Sequence, residues 1–274
     1  MTHPETPSRA GRDLPAAIGV AVVLLAVIAA ALLFVKSLFL VVVLAAMVYA
    51  VWELKTALAT VDVLLPVWPV LAGGAAMLLG AYFGGPDAVV ITTALTVLAI
   101  SLWRMPAGSP GFVRDVTAGI FAALYVPFLG CFVLLMLRAD DGQWQVVTFI
   151  LVVAASDIGG FASGVRFGRH PLAPLISPKK SWEGFAGSAV ACALAGWATV
   201  VFLLDGRWWV GLLLGLVTVV SATLGDLVES MLKRDLSLKD MGTLLPGHGG
   251  LLDRLDSLLA TAPLAWMVMY WLIS

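Results

Sequence analysis

The sequence predicts an all-α, polytopic membrane protein with about nine transmembrane helices and a cytoplasmic N-terminus. Of its 274 residues, 61% are hydrophobic and only 12% are charged, whereas soluble domains usually carry about 25% charged residues. The apolar residues also form repeated runs of about 20 residues, the length needed to cross a hydrocarbon core of about 30 Å. No remaining stretch is long enough for a separate soluble domain.

The apolar runs place nine predicted spans near residues 16–35, 38–52, 63–83, 88–103, 116–137, 144–165, 185–204, 208–224 and 258–273. A single helix over residues 16–52 would be about 55 Å long, too long for one crossing, so we expect a turn at Lys36 and Ser37. The first run is expected to be an uncleaved anchor, because further spans follow it.

The spans divide the chain into an N-terminal region, residues 1–137 with five spans, and a C-terminal region, residues 138–274 with four spans. The C-terminal region contains two long charged segments, at 166–184 and 226–257. All basic residues except Lys36, Arg138 and Arg207 fall in loops on the side of the N-terminus. Since basic residues concentrate on the cytoplasmic side, both segments are predicted to be cytoplasmic loops of a multi-pass cell-membrane protein.

The two cysteines are predicted to be packing residues. Cys131 and Cys192 lie inside apolar runs and lack the spacing of a metal site. Such cysteines behave as small hydrophobic side chains, so the sequence does not indicate redox chemistry.

The first polar constellation follows the eighth span. Asp226, Glu229, Ser230 and Lys233 are spaced so that one helical face carries two carboxylates, a hydroxyl and an ammonium group. This face could bind a cation and a phosphate. It could equally be an ordinary helix end that reaches into water with a Glu–Lys pair.

The second constellation is the stretch from Lys239 to Asp256, KDMGTLLPGHGGLLDRLD. Its glycines expose backbone amides next to a helix start, where anions bind. Asp253 and Asp256, three residues apart, offer oxygen ligands to a hard cation. The alternatives are a simple re-entry turn for the glycines and a helix N-cap for Asp256.

The third constellation is the segment from Ser177 to Gly184, SPKKSWEG. Its adjacent Lys179 and Lys180 could contact anionic lipid headgroups or the phosphates of a substrate. Upstream, Asp157 lies inside the sixth span and is predicted to be buried at membrane depth, where an ionisable group is costly and usually functional. The nearby Gly160, Gly164 and Gly168 favour close helix packing.

Together these groups predict an active site at the cytoplasmic membrane face. Carboxylates that hold a divalent metal, with lysines and amides that hold phosphates, are the parts of phosphoryl or nucleotidyl transfer. The headgroup level of the site indicates a phosphorylated lipid as substrate. The sequence contains no Walker-type loop, dinucleotide fingerprint or nucleophile elbow.

The C-terminal half resembles the phosphatidate cytidylyltransferases, also called CDP-diacylglycerol synthases. The resemblance rests on Asp157, on Ser177 to Gly184, and on Ser230, Lys233, Arg234, Lys239, Asp240, Gly242, Leu245, Pro246, His248, Gly249, Gly250, Asp253, Arg254 and Asp256. It implies that phosphatidic acid and CTP are converted into CDP-diacylglycerol and pyrophosphate in phospholipid biosynthesis, with one or two Mg²⁺ ions. A homodimer is compatible with the resemblance and with the small-residue helix face.

On this hypothesis the metal is held by Asp226 and Asp253, with Glu229 and Asp256 either as additional ligands or as residues that support the ligands from behind. Phosphate oxygens would be held by Lys179, Lys180, Lys233, Arg234 and Lys239. His248 either protonates the leaving pyrophosphate or makes a structural hydrogen bond in the turn. Asp157 either orients a lysine or reaches a metal. The remaining predicted substrate contacts are Ser177, Ser230, Gly249, Gly250 and Arg254. The eighth and ninth spans must then pack together, with the 177–184 loop over their ends.

Two other functions fit parts of the pattern. A CTP-dependent lipid kinase would use similar groups but direct attack to the γ-phosphate. An ion-coupled secondary transporter could use Asp157 and Asp226 as ion sites, but would need paired, interrupted helices at the bilayer midplane. The partners expected beside the substrates are membrane lipids, and no nucleic acid is expected.

Overall fold

Long apolar helices dominate the computed structural model, which describes residues 30–32, 35–242 and 250–273. The helices are α1 (Lys36–Ala59), α2 (Val67–Phe83), α3 (Pro86–Arg104), α4 (Phe112–Arg138), α5 (Gly142–Phe167), α6 (Trp182–Leu203), α7 (Trp208–Asp235) and α8 (Leu252–Leu272). Between α5 and α6 lies a short antiparallel hairpin of β1 (Pro171–Ala173) and β2 (Ser177–Ser181). The all-α prediction is therefore confirmed for the spans, and the hairpin is an addition to it.

Seven of the described helices are long and apolar enough to cross a membrane. The exception is α2, which is apolar but has only 17 residues. The helices α1 to α8 correspond in order to the second to ninth predicted spans. Most of the first predicted span, near residues 16–35, lies outside the described residues. The protein is thus a helical, membrane-embedded protein.

A change of helix type interrupts α4. Residues Leu124–Phe128 form a π-helical turn that contains Pro127. Proline lacks a backbone N–H and its ring clashes with the preceding turn of an α-helix, so a wider turn accommodates it without ending the helix. Continuity across this turn lets α4 reach Arg138 as one span.

The charged helix ends extend further than the sequence predicted. The α7 helix continues to Asp235 and α8 already begins at Leu252, so both ends of the predicted 226–257 segment are helical. The cytoplasmic location of this segment stays a prediction. The charged groups at these ends pair with one another, as in the contact of 2.6 Å between Lys233 Nζ and Glu229 Oε2. Since these pairs satisfy the charges, the chain can remain helical through them.

Consecutive helices pack in pairs through the C-terminal region. The pairs α5–α6, α6–α7 and α7–α8 are in contact, and α8 also packs against α4. The contact between α7 and α8 confirms the prediction that the last two spans meet. The ends of α5 and α7 and the starts of α6 and α8 therefore gather at one end of the bundle. Cys131 and Cys192 are free, buried thiols within this packing, as predicted.

Small residues allow α5 and α6 to approach closely. A β-carbon added at Gly160 would lie 2.5 Å from Ser188 Oγ. That hydroxyl donates a hydrogen bond of 2.6 Å to the carbonyl oxygen of Ser156, which ties α6 to α5. The small-residue face predicted from the sequence thus packs against α6 at Gly160, and a homodimer stays a prediction.

Candidate active site

Three carboxylates meet where α7 packs against α8. Asp226 and Glu229 lie one turn apart on α7, and Asp256 comes from α8; one oxygen of each lies within 4.8 Å of the others. The helices approach closely here because Gly225 has no side chain: an added β-carbon would lie 2.7 Å from the Asp256 carbonyl oxygen. We call Asp226, Glu229 and Asp256 the acidic triad.

The chemistry of the acidic triad fits a divalent cation. Glu229 and Asp256 are buried, and carboxylates at such distances repel one another strongly in a low-dielectric environment. One oxygen of Glu229, Oε1, is buried and has no hydrogen-bond partner, although an unsatisfied buried carboxylate oxygen is costly. Hard divalent cations take carboxylate oxygens as ligands, so a cation would satisfy this atom and relieve the repulsion.

A lysine from the hairpin reaches the acidic triad. Lys180, near the end of β2, forms an ion pair with Asp226. The hairpin is held in place from both sides: Ser181 Oγ accepts the backbone N–H of Gly184 at the start of α6, 3.1 Å away. Glu183 accepts the backbone N–H of His170, 3.3 Å away. The loop predicted to fold over the helix ends therefore does contact α7.

A cavity of about 290 Å³ opens beside the triad, at the lower end of the range for small-molecule sites. The polar residues that line it are Ser156, Asp157, Lys179, Lys180, Ser181, Ser188, Thr223, Asp226 and Ser257. Two helix pairs and the hairpin contribute to this lining. The cavity thus places two predicted lysines and two predicted carboxylates around one space.

Asp157 lies on α5, a helix long enough to cross the membrane, and its position at membrane depth stays a prediction. It lines the cavity and is exposed, because the ends of α5, α6 and α7 leave an open space in front of it. It interacts electrostatically with Asp226, Lys180 and Arg254. Asp157 is outside the acidic triad, and the choice between orienting a lysine and reaching a metal stays a prediction.

Asp253 is not part of the acidic triad and takes other partners, although the sequence hypothesis paired it with Asp226. The Lys233 ammonium lies between Glu229 and Asp253, 2.8 Å from Asp253 Oδ1. The other Asp253 oxygen accepts backbone N–H groups from Met241 and Gly250, 2.9 and 2.8 Å away. Asp253 thus ties a lysine to the chain between α7 and α8, and Lys233 is committed to two carboxylates.

Five further predicted site residues are described by the structure but do not line the cavity. Arg234, Lys239 and Arg254 are exposed, and Ser177 and Ser230 are half-buried; none of these five is among the residues that line the described cavity. Gly250 takes part through its bond to Asp253. The predicted roles of His248 and Gly249 lie outside the described residues.

Sequence analysis missed Glu53 on α1. Its carboxylate is 4% exposed and accepts the backbone N–H of Leu251 at 3.0 Å and of Leu252 at 2.8 Å. A signal was present, since Glu53 stands between Trp52 and Leu54 at the end of an apolar run. A carboxylate in such a position needs a polar partner, but the sequence did not indicate which one.

These features define a membrane-embedded helical protein with a candidate cation site beside a lysine-lined cavity. The model of the cytidylyltransferase family matches residues 15–272 of the chain. The chain belongs to this family and is therefore a nucleotidyltransferase.

Curated relatives extend this match along almost the whole chain. The phosphatidate cytidylyltransferase of Mycobacterium bovis is 44% identical over 96% of this chain and 90% of its own length. The protein of the same name from Mycobacterium tuberculosis is 44% identical over 96% of this chain and 84% of its own. That of Mycobacterium leprae is 41% identical over 95% and 89%, respectively. The similarity therefore includes the N-terminal region, whereas the resemblance found by sequence analysis rests on the C-terminal half.

Proposed function

We propose that this chain is a phosphatidate cytidylyltransferase, which transfers CMP from CTP to phosphatidic acid and gives CDP-diacylglycerol and pyrophosphate. The observation that carries the proposal is the acidic triad beside Lys180 and the cavity in a chain of the cytidylyltransferase family. The names of the mycobacterial relatives support the same reaction and the same two substrates.

The transfer makes one bond and breaks one. An oxygen of the phosphatidate phosphate attacks the α-phosphorus of CTP. The bond from that phosphorus to the oxygen bridging the α- and β-phosphates breaks, and pyrophosphate leaves with the electron pair. The attacking phosphate needs no strong base, because the second pKa of a phosphomonoester is about 6.

The acidic triad is the proposed Mg²⁺ site, with Asp226, Glu229 and Asp256 as ligands. The proposal is compatible with one or with two Mg²⁺ ions. When bound, Mg²⁺ supplies positive charge to the phosphate oxygens and to the leaving pyrophosphate. Asp253 was predicted as a ligand, but we now assign it to the placement of Lys233, which holds Glu229 in turn.

Lys179 and Lys180 are the proposed phosphate-binding residues. Both line the cavity, and Lys180 is partly exposed even while it is paired with Asp226. Two like charges 4 Å apart repel by about 4 kcal/mol at an effective dielectric of 20, so cationic side chains are needed where two phosphates meet. Asp157 would keep Lys180 directed into the cavity.

Residues outside the cavity have more distant proposed roles. Arg234 and Lys239 are exposed near the end of α7, where they would attract anionic headgroups and nucleotide phosphates. Ser177, Ser230 and Arg254 are proposed to contact the substrates at the surface around the cavity. Proton donation by His248 to pyrophosphate and an amide contact from Gly249 stay predictions, whereas the amide of Gly250 already donates to Asp253.

The proposed topology has nine spans, a cytoplasmic N-terminus and the site at the cytoplasmic face of the cell membrane. The excess of basic residues on that side supports it, as does the gathering of four helix ends around the cavity. CTP is a soluble nucleotide and phosphatidic acid a membrane lipid, so a site at this boundary is open to both.

Labelled CTP tests the reaction. Purified protein is incubated with phosphatidic acid, Mg²⁺ and CTP labelled in the cytosine ring or in the γ-phosphate. We expect ring label, and no γ-label, in the lipid product. Transfer of γ-label alone would identify a lipid kinase, and no label in lipid would favour a transporter.

The proposed metal ligand Asp226 can be tested in the same assay. Asp226→Asn keeps the size of the side chain but removes its charge, and we expect turnover to fall by at least about 100-fold because metal affinity falls. The variant should elute from size exclusion like the unmodified protein. Normal turnover would contradict the assigned role.

A further inference from the structure

Glu53 links the first described helix to the start of the last one. It lies near the end of α1, 198 residues before Leu251 in the chain. Its two carboxylate oxygens take different partners: Oε1 accepts from the Leu251 N–H and Oε2 from the Leu252 N–H. Both bonds are buried or partly buried, so water does not compete strongly with them.

The start of α8 needs such a partner. The first N–H groups of a helix have no acceptor within the helix, and a polar side chain at the N-cap usually satisfies one of them. The N-cap position of α8 is Leu251, whose apolar side chain cannot accept a hydrogen bond. Glu53 supplies the missing acceptors from another helix. A carboxylate also interacts favourably with the positive end of the helix dipole.

Two glycines make room for this contact. A β-carbon added at Gly250 would lie 2.9 Å from each oxygen of Glu53, and one added at Gly242 would overlap the same carboxylate. The β-carbon added at Gly250 would also lie only 2.7 Å from the backbone nitrogen of Gly242. The glycines thus bring the two described ends of the α7–α8 connection together around Glu53. This explains physically why a side chain is excluded at both positions.

We propose that Glu53 is a positioning residue of the cation site, a role that rests on the proposed function. By capping α8 and closing the connection around Gly242 and Gly250, it sets the position of α8 relative to α7. Asp256 lies one turn after Leu252, so its oxygen reaches Asp226 and Glu229 only if α8 begins at the right place. Glu53 therefore acts on cation affinity without touching the cation.

The sharpest variant is Glu53→Gln, because it changes one oxygen into an amide nitrogen. An NH₂ group cannot accept a backbone N–H, so one of the two α8 donors would face another donor. We expect Mn²⁺ to bind at least about 10-fold more weakly, the size of effect seen when groups behind metal ligands are removed. Glu53→Asp keeps two acceptor oxygens on a shorter chain and should retain more affinity than Glu53→Gln.

The measurement is direct binding of Mn²⁺ to the full chain in detergent. The electron paramagnetic resonance signal of free Mn²⁺ reports how much Mn²⁺ stays unbound. The matched control is Asp115→Asn. Asp115 is also buried, accepts the backbone N–H of Leu64 and pairs with Arg104, and its described partners include no member of the acidic triad. This control should lose stability and keep its Mn²⁺ affinity, which separates positioning from general stabilisation.

Three outcomes decide the proposal. Weaker Mn²⁺ binding in Glu53→Gln, with Asp115→Asn unchanged, supports it. Equal binding in Glu53→Gln and the unmodified protein overturns it and leaves the proposed function standing. No Mn²⁺ binding by the unmodified protein overturns the cation site, and the role of Glu53 with it. If Glu53→Gln does not fold, Gly250→Ala crowds the same carboxylate and is judged by the same criteria.

Discussion

Two lysines at the site form ion pairs with three carboxylates. Lys180 pairs with Asp226, and Lys233 pairs with both Glu229 and Asp253. Each lysine therefore removes part of the repulsion that the carboxylates would otherwise exert on one another. Asp256 has no lysine in these pairs and lies buried in the triad, which makes it the carboxylate that depends most on a cation.

This difference predicts unequal effects at the two aspartates of α8. Asp256→Asn removes a proposed ligand and should weaken Mn²⁺ binding by more than about 100-fold, whereas Asp253→Asn acts through Lys233 and should weaken it by about 10-fold. Titration of both purified variants with Mn²⁺ measures the order. A larger loss in Asp253→Asn would instead restore the pairing of Asp226 with Asp253 suggested by the sequence.

At the scale of elements, the close packing of α5 on α6 places the hairpin. The hairpin connects the end of α5 to the start of α6, so the separation of these helices sets where Lys180 meets Asp226. Gly159 contributes directly: a β-carbon there would lie 2.6 Å from the Ala191 β-carbon and 2.7 Å from the Gly187 carbonyl oxygen. Any side chain at this position must push the helices apart.

Gly159→Val should therefore harm both stability and turnover. Overpacking of this kind costs about 1–3 kcal/mol in the free energy of unfolding, and displacement of Lys180 should lower the turnover further. Denaturant titration in mixed micelles and the labelled-CTP assay measure the two effects. Ala162→Val is the matched control, because Ala162 is exposed on the same helix and should tolerate the change. Equal behaviour of the two variants would contradict the role given to this packing.

At the scale of the whole molecule, the two regions divided at residue 137 share one bundle. The α8 helix packs against α4, and Glu53 of α1 holds Leu251 and Leu252. The N-terminal helices therefore do more than anchor the chain in the membrane: one of them supports the start of α8. This arrangement agrees with the similarity to relatives over 96% of the chain.

The proposed orientation can be tested with single cysteines and a membrane-impermeant thiol reagent. Leu175 in the hairpin is 86% exposed, and Asp140 is exposed in the turn between α4 and α5. We expect Asp140→Cys, and not Leu175→Cys, to react when the reagent is added outside intact cells. The native cysteines are buried and should give little background. The reverse pattern would place the site on the outer face.

The candidate site was only partly accessible from the sequence. Spacing along one helix correctly placed Asp226, Glu229 and Lys233 on a common face, because helical periodicity is a local property. It could not decide between Asp253 and Asp256 as the partner of Asp226, since that depends on how α8 is rotated against α7. Glu53 was missed for the same reason, as its partners lie almost 200 residues away.

The sequence by itself determined the membrane class, the order of the helices and the family resemblance. Run length and local motifs carry this information, because each helix satisfies its own backbone hydrogen bonds and an apolar run needs only lipid around it. Only the tertiary structure decided which carboxylates form the triad, that Asp157 opens to a cavity, and that Glu53 caps α8. These depend on helix rotation and on contacts of a few ångströms between distant residues, which no local pattern encodes.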